Sequence, residues 1–525
     1  MAWLHTWSGL LVGWVLFFVF LTGTLAYVQH EITHWMRPEK TFLSQPPDTA
    51  EMMSQAVAYL DENAPGVALW GIAPPARWYQ GLQVMWLDRP GPDGEEGAFG
   101  SRELDPATGA PPEEMRDTHG GEFFLELHYR LHYMPRLWGI RLVGICTMFM
   151  LVAILSGVIT HKKIFKDFFA FRPGKGQRSW LDAHNVTGVL ALPYHLMITY
   201  SGLVLSLFVY MPAVPLAVYG ENQQPLFQEV NGSSTPPMLP EAPEAAMKPL
   251  LPMLDAAQHL SGRQANMVVI RNYGHANADV NVALLSASDI ADTADMVSFS
   301  ATTGERLEGN GMDVVTARPT LASARFRDLL VNLHLALFAG PFLRVLFVLS
   351  GLGGTALMGT GLLLWTKKRK AQLKHGTQAH LGIAVVDRLN VGTIVGLPIA
   401  IAAYFWGNRL LPLREEILGI HRHDLEADVM FFTWAVLLLY PIWRPLQRAW
   451  VEMLALGAFA YAFIPVLNAL TTNRNLAVSL AQKDWVMAGF DLAALAVGIL
   501  FGCLAWRLRR KATAPHQLPL QPEPI

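Results

Sequence analysis

His5-Thr-Trp-Ser-Gly9, followed by Thr22-Gly23, and His184-Asn-Val-Thr-Gly188, followed by Ser201-Gly202, are the stretches whose reading decides the fold. In both, 18 residues separate the histidine from the last glycine, and the interval is apolar. A second pair follows the same order. Leu127-His128-x-x-Leu131-x-x-x-Pro135 is matched by Leu333-His334-x-x-Leu337-x-x-x-Pro341, and each leads into an apolar run that ends in a lysine pair. A unit of span, polar insert and span therefore occurs twice in the first 370 residues. Parallel repeats of this kind are common in membrane proteins.

Composition agrees with that reading. Of 525 residues, 52% are apolar and 16% charged, against roughly 25% charged in a soluble protein. Mean hydropathy is +0.27. Gly9–Tyr27 and Met148–Thr160 carry no charge at all. A soluble enzyme and a disordered chain are both excluded. We read about eight spans, near 8–28, 138–160, 186–210, 343–365, 389–411, 429–446, 449–470 and 486–506. Each holds about 20 apolar residues, enough to cross roughly 30 Å of hydrocarbon as a helix. The first span lacks a preceding Lys or Arg and a following A-x-A site, so it reads as a retained helix, not a cleaved signal.

The basic residues set the expected orientation. Lys162, Lys163, Lys166, Arg172, Lys175 and Arg178 follow span two, and Lys367, Lys368, Arg369, Lys370 and Lys374 follow span four. Arg444 and Arg448 follow span six, and Arg507, Arg509, Arg510 and Lys511 follow span eight. All fall on one side, which predicts that both termini are cytoplasmic. The inserts then lie outside. Net charge is −2, which gives a nucleic-acid partner no support.

The expected organisation is an α-helical membrane protein with a duplicated four-helix core and two periplasmic α+β domains. Residues 1–29 form the first span, 30–127 the first insert, and 128–211 spans two and three with their basic loop. Residues 212–333 form the second insert, 334–370 the fourth span, and 371–525 a further four-helix membrane region. Met52–Leu60 and Met253–Leu260 read as helices, and Gly81–Leu87, Met267–Arg271 and Val280–Leu284 as strands. Glu103-Leu-Asp-Pro-Ala-Thr-Gly109 and Ser298-Phe-Ser-Ala-Thr-Thr-Gly304 each read as a strand running into a turn that needs glycine.

The repeat also duplicates histidines. His5 and His184 sit at the cytoplasmic ends of spans one and three, and His128 and His334 just before spans two and four. Equivalent helix ends that meet across a pseudo-two-fold axis would set two imidazoles face to face. Such a pair could hold one haem iron axially on each side of the membrane. The alternative is that these are interfacial or capping residues. His195 lies 11 residues after His184 and on the same helix face, near mid-bilayer. It reads equally as a haem ligand or bridge and as a histidine bonded to another helix; its counterpart in span one is Leu16. Cys146 and Cys503 both fall in apolar spans, and no C-x-x-C-H occurs, so a haem here would be of the non-covalent b type.

Other polar residues carry weaker signals. His30 and His34, like His128 and His132, are spaced i, i+4 and read first as an interfacial face. His421-Arg-His423 reads as a solvated loop. Arg136, Arg141 and Arg344 suit either haem propionates or lipid headgroups. Asp491, inside span eight, suits either a proton or quinone role or a helix interface. Gly351-Leu-Gly-Gly354 reads as close helix packing. No Walker loop and no dinucleotide fingerprint follows a strand, so electrons for any reduction would come from a quinol or a separate reductase.

Taken in order, several of these pieces resemble the PepSY-associated transmembrane proteins of bacteria. They are Leu4-His5-x-Trp7-x-Gly9-Leu10, Trp180-Leu-Asp-Ala-His184-x-x-x-Gly188, Leu127-His128, Leu333-His334 and the two inserts with their A-T-G and T-T-G turns. The resemblance covers about residues 1–370. It implies PepSY-like inserts and two b haems bound by His5, His128, His184 and His334, without fixing their pairing. It further implies an oxidoreductase that passes electrons across the membrane to Fe(III), in a siderophore or other ferric chelate. The four added spans depart from that pattern. A non-enzymatic sensor or peptidase regulator and an iron-chelate transporter are the alternatives.

Overall fold

The computed structural model describes every residue except 1, 41–47, 76–80, 90–96, 113–114, 161–170, 221–238, 240–241, 285–295, 308–321, 374–380, 415 and 514–525. Lys162, Lys163, Lys166 and Lys374, which contribute to the expected orientation, lie outside the described residues. The chain divides into two compact units. One comprises Met1–Pro38, Arg116–Leu196 and Leu346–Ile525; the other comprises Glu39–Met115 and Met197–Val345.

Membrane-spanning helices dominate the first unit because no water is present in a bilayer core to satisfy backbone N–H and C=O groups. Among the described residues, seven helices are long and apolar enough to cross, and a bent pair makes a possible eighth. In chain order we label α1 (Ala2–Ala26), α2 (Gln29–Met36), α3 (Thr49–Asn63), α4 (Glu122–Arg130) and α5 (Arg136–Thr160). Next come α6 (Gln177–Leu190) and α7 (Leu192–Leu205), bent by 67° at Ala191. The sequence reading placed one straight span near 186–210. Pro193 explains the difference: it offers no N–H, and its ring clashes with the carbonyl four residues back.

The second unit holds both inserts. Strands β1 (Leu69–Ala73), β2 (Leu82–Leu87) and β3 (Phe99–Leu104) come from the first insert. Helix α8 (Leu250–Ser261) and strands β4 (Ala265–Arg271), β5 (Asp279–Leu284) and β6 (Met296–Ser300) come from the second. The expected strands and helices are present, and the turns after β3 and β6 carry Gly109 and Gly304 at φ 69° and 78°. The two α+β units are not separate, however. Their strands form one antiparallel sheet of six in the order β3-β2-β1-β4-β5-β6. The join is β1 to β4, with Trp70 opposite Ile270 and Ile72 opposite Val268. One core serves both halves: Met52, Ala56 and Leu60 of α3 and Met253, Leu254 and Ala257 of α8 share a cluster with Trp70, Ile72, Val268 and Ile270. β1 has only the short apolar run Leu69–Ala73 and no turn signal of its own, so the sequence reading passed over it.

Besides three short helices (Leu207–Tyr210, Ala213–Tyr219 and Leu476–Ala481), the later helices among the described residues are α9 (Ala322–Leu335), α10 (Pro341–Ala371), α11 (Leu381–Ile394), α12 (Gly396–Leu410), α13 (Arg422–Leu439), α14 (Leu446–Ala462), α15 (Ile464–Thr471) and α16 (Trp485–Thr513). In the first unit, α11 to α16 add a four-span bundle whose core joins that of α1, α2 and α4 through Phe17, Phe18, Trp35, Phe124, Tyr404 and Met430.

Candidate haem site

His5 on α1 and His184 on α6 meet across one cavity of the first unit. Their ring centroids are 6.3 Å apart with planes at 73°. Two metal–imidazole bonds of about 2.0 Å, with the ring half-widths added on either side, span roughly 6 Å. The separation therefore leaves room for one iron that both rings could hold.

Each ring is oriented by its other nitrogen. His5 Nδ1 lies 2.9 Å from the Ala153 carbonyl on α5. His184 Nδ1 lies 3.1 Å from the Leu357 carbonyl on α10 and 3.4 Å from Thr360 Oγ1. A carbonyl accepts only from an N–H, so this contact selects the tautomer whose Nε2 is the basic nitrogen. Ligating histidines are commonly fixed in this way. The cavity encloses about 440 Å³ and is lined mainly by apolar residues, with His195, Leu16, Gln177, Asn185 and Lys368 among its walls. That size and lining are usual for a cofactor pocket. The donor set, spacing and fixed tautomers fit a b-type haem.

A second regularity links all four repeat histidines. A Cβ built on Gly157 would stand 3.2 Å from His5 Cε1, and one on Gly361 would stand 3.2 Å from His184 Cε1. Gly23 stands in the same relation to His128, at 2.4 Å from Nδ1, and Gly202 to His334, at 3.1 Å from Cε1. Each imidazole thus rests on a bare patch of a neighbouring helix. Each glycine follows a Ser or Thr: Thr22-Gly23, Ser156-Gly157, Ser201-Gly202 and Thr360-Gly361. Two of these dipeptides stood out in the sequence; the other two could have been found by the same spelling. In the first unit His128 Nδ1 contacts the Val19 carbonyl at 2.8 Å. In the second, His334 Nδ1 donates to Ser201 Oγ at 2.8 Å, while that hydroxyl donates to the Met197 carbonyl at 2.7 Å.

His195 lines the same cavity as His5 and His184 and is fully buried. It follows the bend at Ala191 and lies edge-on to Phe20 at 6.0 Å. Its Nε2 would stand 3.3 Å from a Cβ on Gly354, so the Gly351–Gly354 stretch is a close-packing surface. The Gly351 position meets Thr24 in the same way.

Several other candidates have structural partners. Asp491, fully buried, accepts from Trp35 Nε1 at 2.9 Å and from Asn468 Nδ2 at 3.1 Å. Arg409 covers the Trp35 ring at 3.6 Å and donates to Asn468 Oδ1 at 3.1 Å. Of the two readings of Asp491, the helix interface has these contacts behind it. His34 pairs with Asp484 at 2.9 Å, and Arg474 reaches the same carboxylate at 3.2 Å. Burial pushes the Asp484 carboxyl up, but the His34 hydrogen bond and charge, the Met487 amide and Arg474 outweigh it and hold the group below its ordinary value. His132 stacks on Phe431 at 5.4 Å, and Arg141 lies over Trp138 at 5.5 Å. His423 does not lie in a merely solvated loop: its Nδ1 donates to Asp117 at 2.5 Å, and its ring meets His119. His119 carried no motif and was missed by the sequence reading.

A helical membrane bundle with a repeated histidine-on-glycine seat defines a class of integral membrane protein. The chain belongs to the family described as PepSY-associated TM region, which it matches over residues 2–368. An uncharacterized protein of Pseudomonas aeruginosa is 25% identical over 426 residues, a stretch covering 75% of this chain and 96% of that protein.

Proposed function

We propose that this protein carries electrons across the inner membrane of a bacterium through b-type haem and reduces Fe(III), as a siderophore or other ferric chelate, on the periplasmic side. The observation that carries the reading is the 6.3 Å separation of His5 and His184, each with its Nδ1 against a carbonyl of the neighbouring helix. Haem, when bound, supplies a one-electron couple whose potential the protein sets through axial ligands, hydrogen bonding and burial.

The chain's own residues do the rest. His5 and His184 would hold the haem iron, and the Ala153 and Leu357 carbonyls would strengthen them as donors by drawing on the Nδ1 proton. Apolar walls such as Leu10, Val12, Ile154 and Leu357 exclude water. Lys368 supplies a cation for a propionate. His195, in the same cavity, stands ready as a further ligand or as a polar step toward the opposite face. His128 in the first unit and His334 in the second, each seated on a glycine, are each a candidate ligand for further iron. Electrons come from a quinol or a cytoplasmic reductase, because no nucleotide or flavin fingerprint is present in the sequence. Reduction to Fe(II) loosens a hard-oxygen chelate, since the lower charge binds such ligands less strongly.

Protein purified after expression with ample haem should show a Soret band and a reduced b-type α band. The His184→Ala variant should lose the share held at the His5 cavity. A colourless wild-type protein would sink the redox reading. A haem protein that no ferric chelate reoxidises would sink the substrate reading alone.

A further inference from the structure

Far from the cavity in sequence, the first unit brings together two histidines and an acid that neither the repeat nor the redox reading uses. His119 comes from the segment that leads into α4, and His423 and Asp424 from the first turn of α13. One ligand atom from each lies within 4.8 Å of the other two. The His119 and His423 rings are 4.1 Å apart at 61°. His423 Nε2 is 3.6 Å from Asp424 Oδ1.

The ring of His423 is already oriented as a metal ligand's would be. Its Nδ1 donates to Asp117 Oδ2 at 2.5 Å, which directs Nε2 toward His119 and Asp424. A carboxylate behind a ligating imidazole fixes the ring and raises its basicity. The local charge favours a cation as well. Glu126, Asp424 and Asp117 all act electrostatically on His119, and Asp428, held by the Tyr133 hydroxyl, lies one helical turn beyond Asp424. Arg130 pairs with Glu126 and offsets part of that charge.

We propose that His119, His423 and Asp424 form a binding site for a divalent first-row transition-metal ion, with Asp117 as the positioning residue behind His423. Two imidazoles and one carboxylate leave open positions for water, a set that suits Fe(II), Zn(II) or Co(II) and not Mg(II) or Ca(II), which take oxygen ligands. Bonds of about 2.0–2.2 Å set neighbouring ligand atoms roughly 3–4 Å apart, so side-chain rotation of about an ångström closes the group around an ion. The site stands on its own geometry.

The test is a Co(II) titration of the purified full-length protein after dialysis against a chelator, read by visible absorption and by metal content. One Co(II) per chain should bind with nitrogen-ligated d–d bands and be displaced by Zn(II). The His119→Ala/His423→Ala variant should lose that Co(II). Asp117→Asn, which keeps all three ligands, should weaken binding by about 10–100-fold. Circular dichroism and gel-filtration elution check that the variants remain folded, and the haem absorbance per chain should be the same in all of them. Equal Co(II) content in wild type and the double-histidine variant overturns the site. Unchanged affinity in Asp117→Asn overturns the role given to Asp117. Neither result touches the haem reading, which fails only by its own spectrum.

Discussion

Replacing Gly23 with alanine tests how closely the histidine seats are specified. The added methyl would stand 2.4 Å from His128 Nδ1 and 2.6 Å from its Cε1. The ring would have to retreat by about 1 Å to reach ordinary van der Waals contact. Its Nδ1 now sits 2.8 Å from the Val19 carbonyl, and a retreat of that size breaks the bond. A buried N–H left unmet costs about 1–3 kcal/mol. Overpacking adds about 1–3 kcal/mol, while alanine's helix propensity returns about 1 kcal/mol. The net loss is about 3 kcal/mol at mid-range. Gly489→Ala, inside α16, is the control, because a Cβ there meets nothing within 4 Å and the position lies off the cavity. The midpoint of thermal unfolding in detergent, followed by tryptophan fluorescence, should fall by about 3–5 °C for Gly23→Ala. It should stay level or rise slightly for Gly489→Ala. Equal midpoints for the two variants would refute the claim that contact with Gly23 holds His128.

Further outcomes follow from other contacts. His5→Ala and His184→Ala should each lower haem per chain by the same amount, and the double variant by no more than either, because the two rings serve one iron; additive losses in a haemochrome assay would argue for separate sites. Asp491→Ala should destabilise the protein by about 2–5 kcal/mol by stranding the Trp35 and Asn468 donors. Asp491→Asn, which keeps an acceptor, should cost less in chemical denaturation. Asp484 has a folded pKa below its ordinary value, so the stability it lends is full above about pH 4 and drains away as pH falls through the folded value. Asp484→Asn should flatten that acid limb, and parallel acid melts of the two proteins would count against the His34–Asp484 pair.

Much of the architecture could be read from the chain because a bilayer restricts the options. An uncharged run of about 20 residues becomes a helix or is not inserted. The repeat set His5 and His184 at equivalent helix ends but left the pairing of the four histidines open. What escaped notice depends on contacts between residues distant in sequence. Gly157 and Gly361 look like ordinary small residues until a ring is found resting on each. The bend at Ala191 was signalled by Pro193, but a proline inside an apolar run does not announce whether its helix kinks or breaks. His119 and His423 are 304 positions apart in the printed sequence, and no spacing rule connects a loop histidine to one in a later helix turn. The β1–β4 join was hidden for the same reason, since strand pairing across two inserts leaves no local pattern.

That join bears on how the protein is made. Until the ribosome reaches Ala265–Arg271, one edge of Leu69–Ala73 has no strand to pair with, and Ile72 and Trp70 lack the neighbours Val268 and Ile270. At about 5–20 residues per second, the roughly 190 residues between them take about 10–40 s to appear. For that interval the first insert is a three-stranded ribbon with an open apolar edge, the kind that recruits other strands. Impaired chaperone supply on the face where the inserts emerge should therefore harm this chain early, before its last five spans exist.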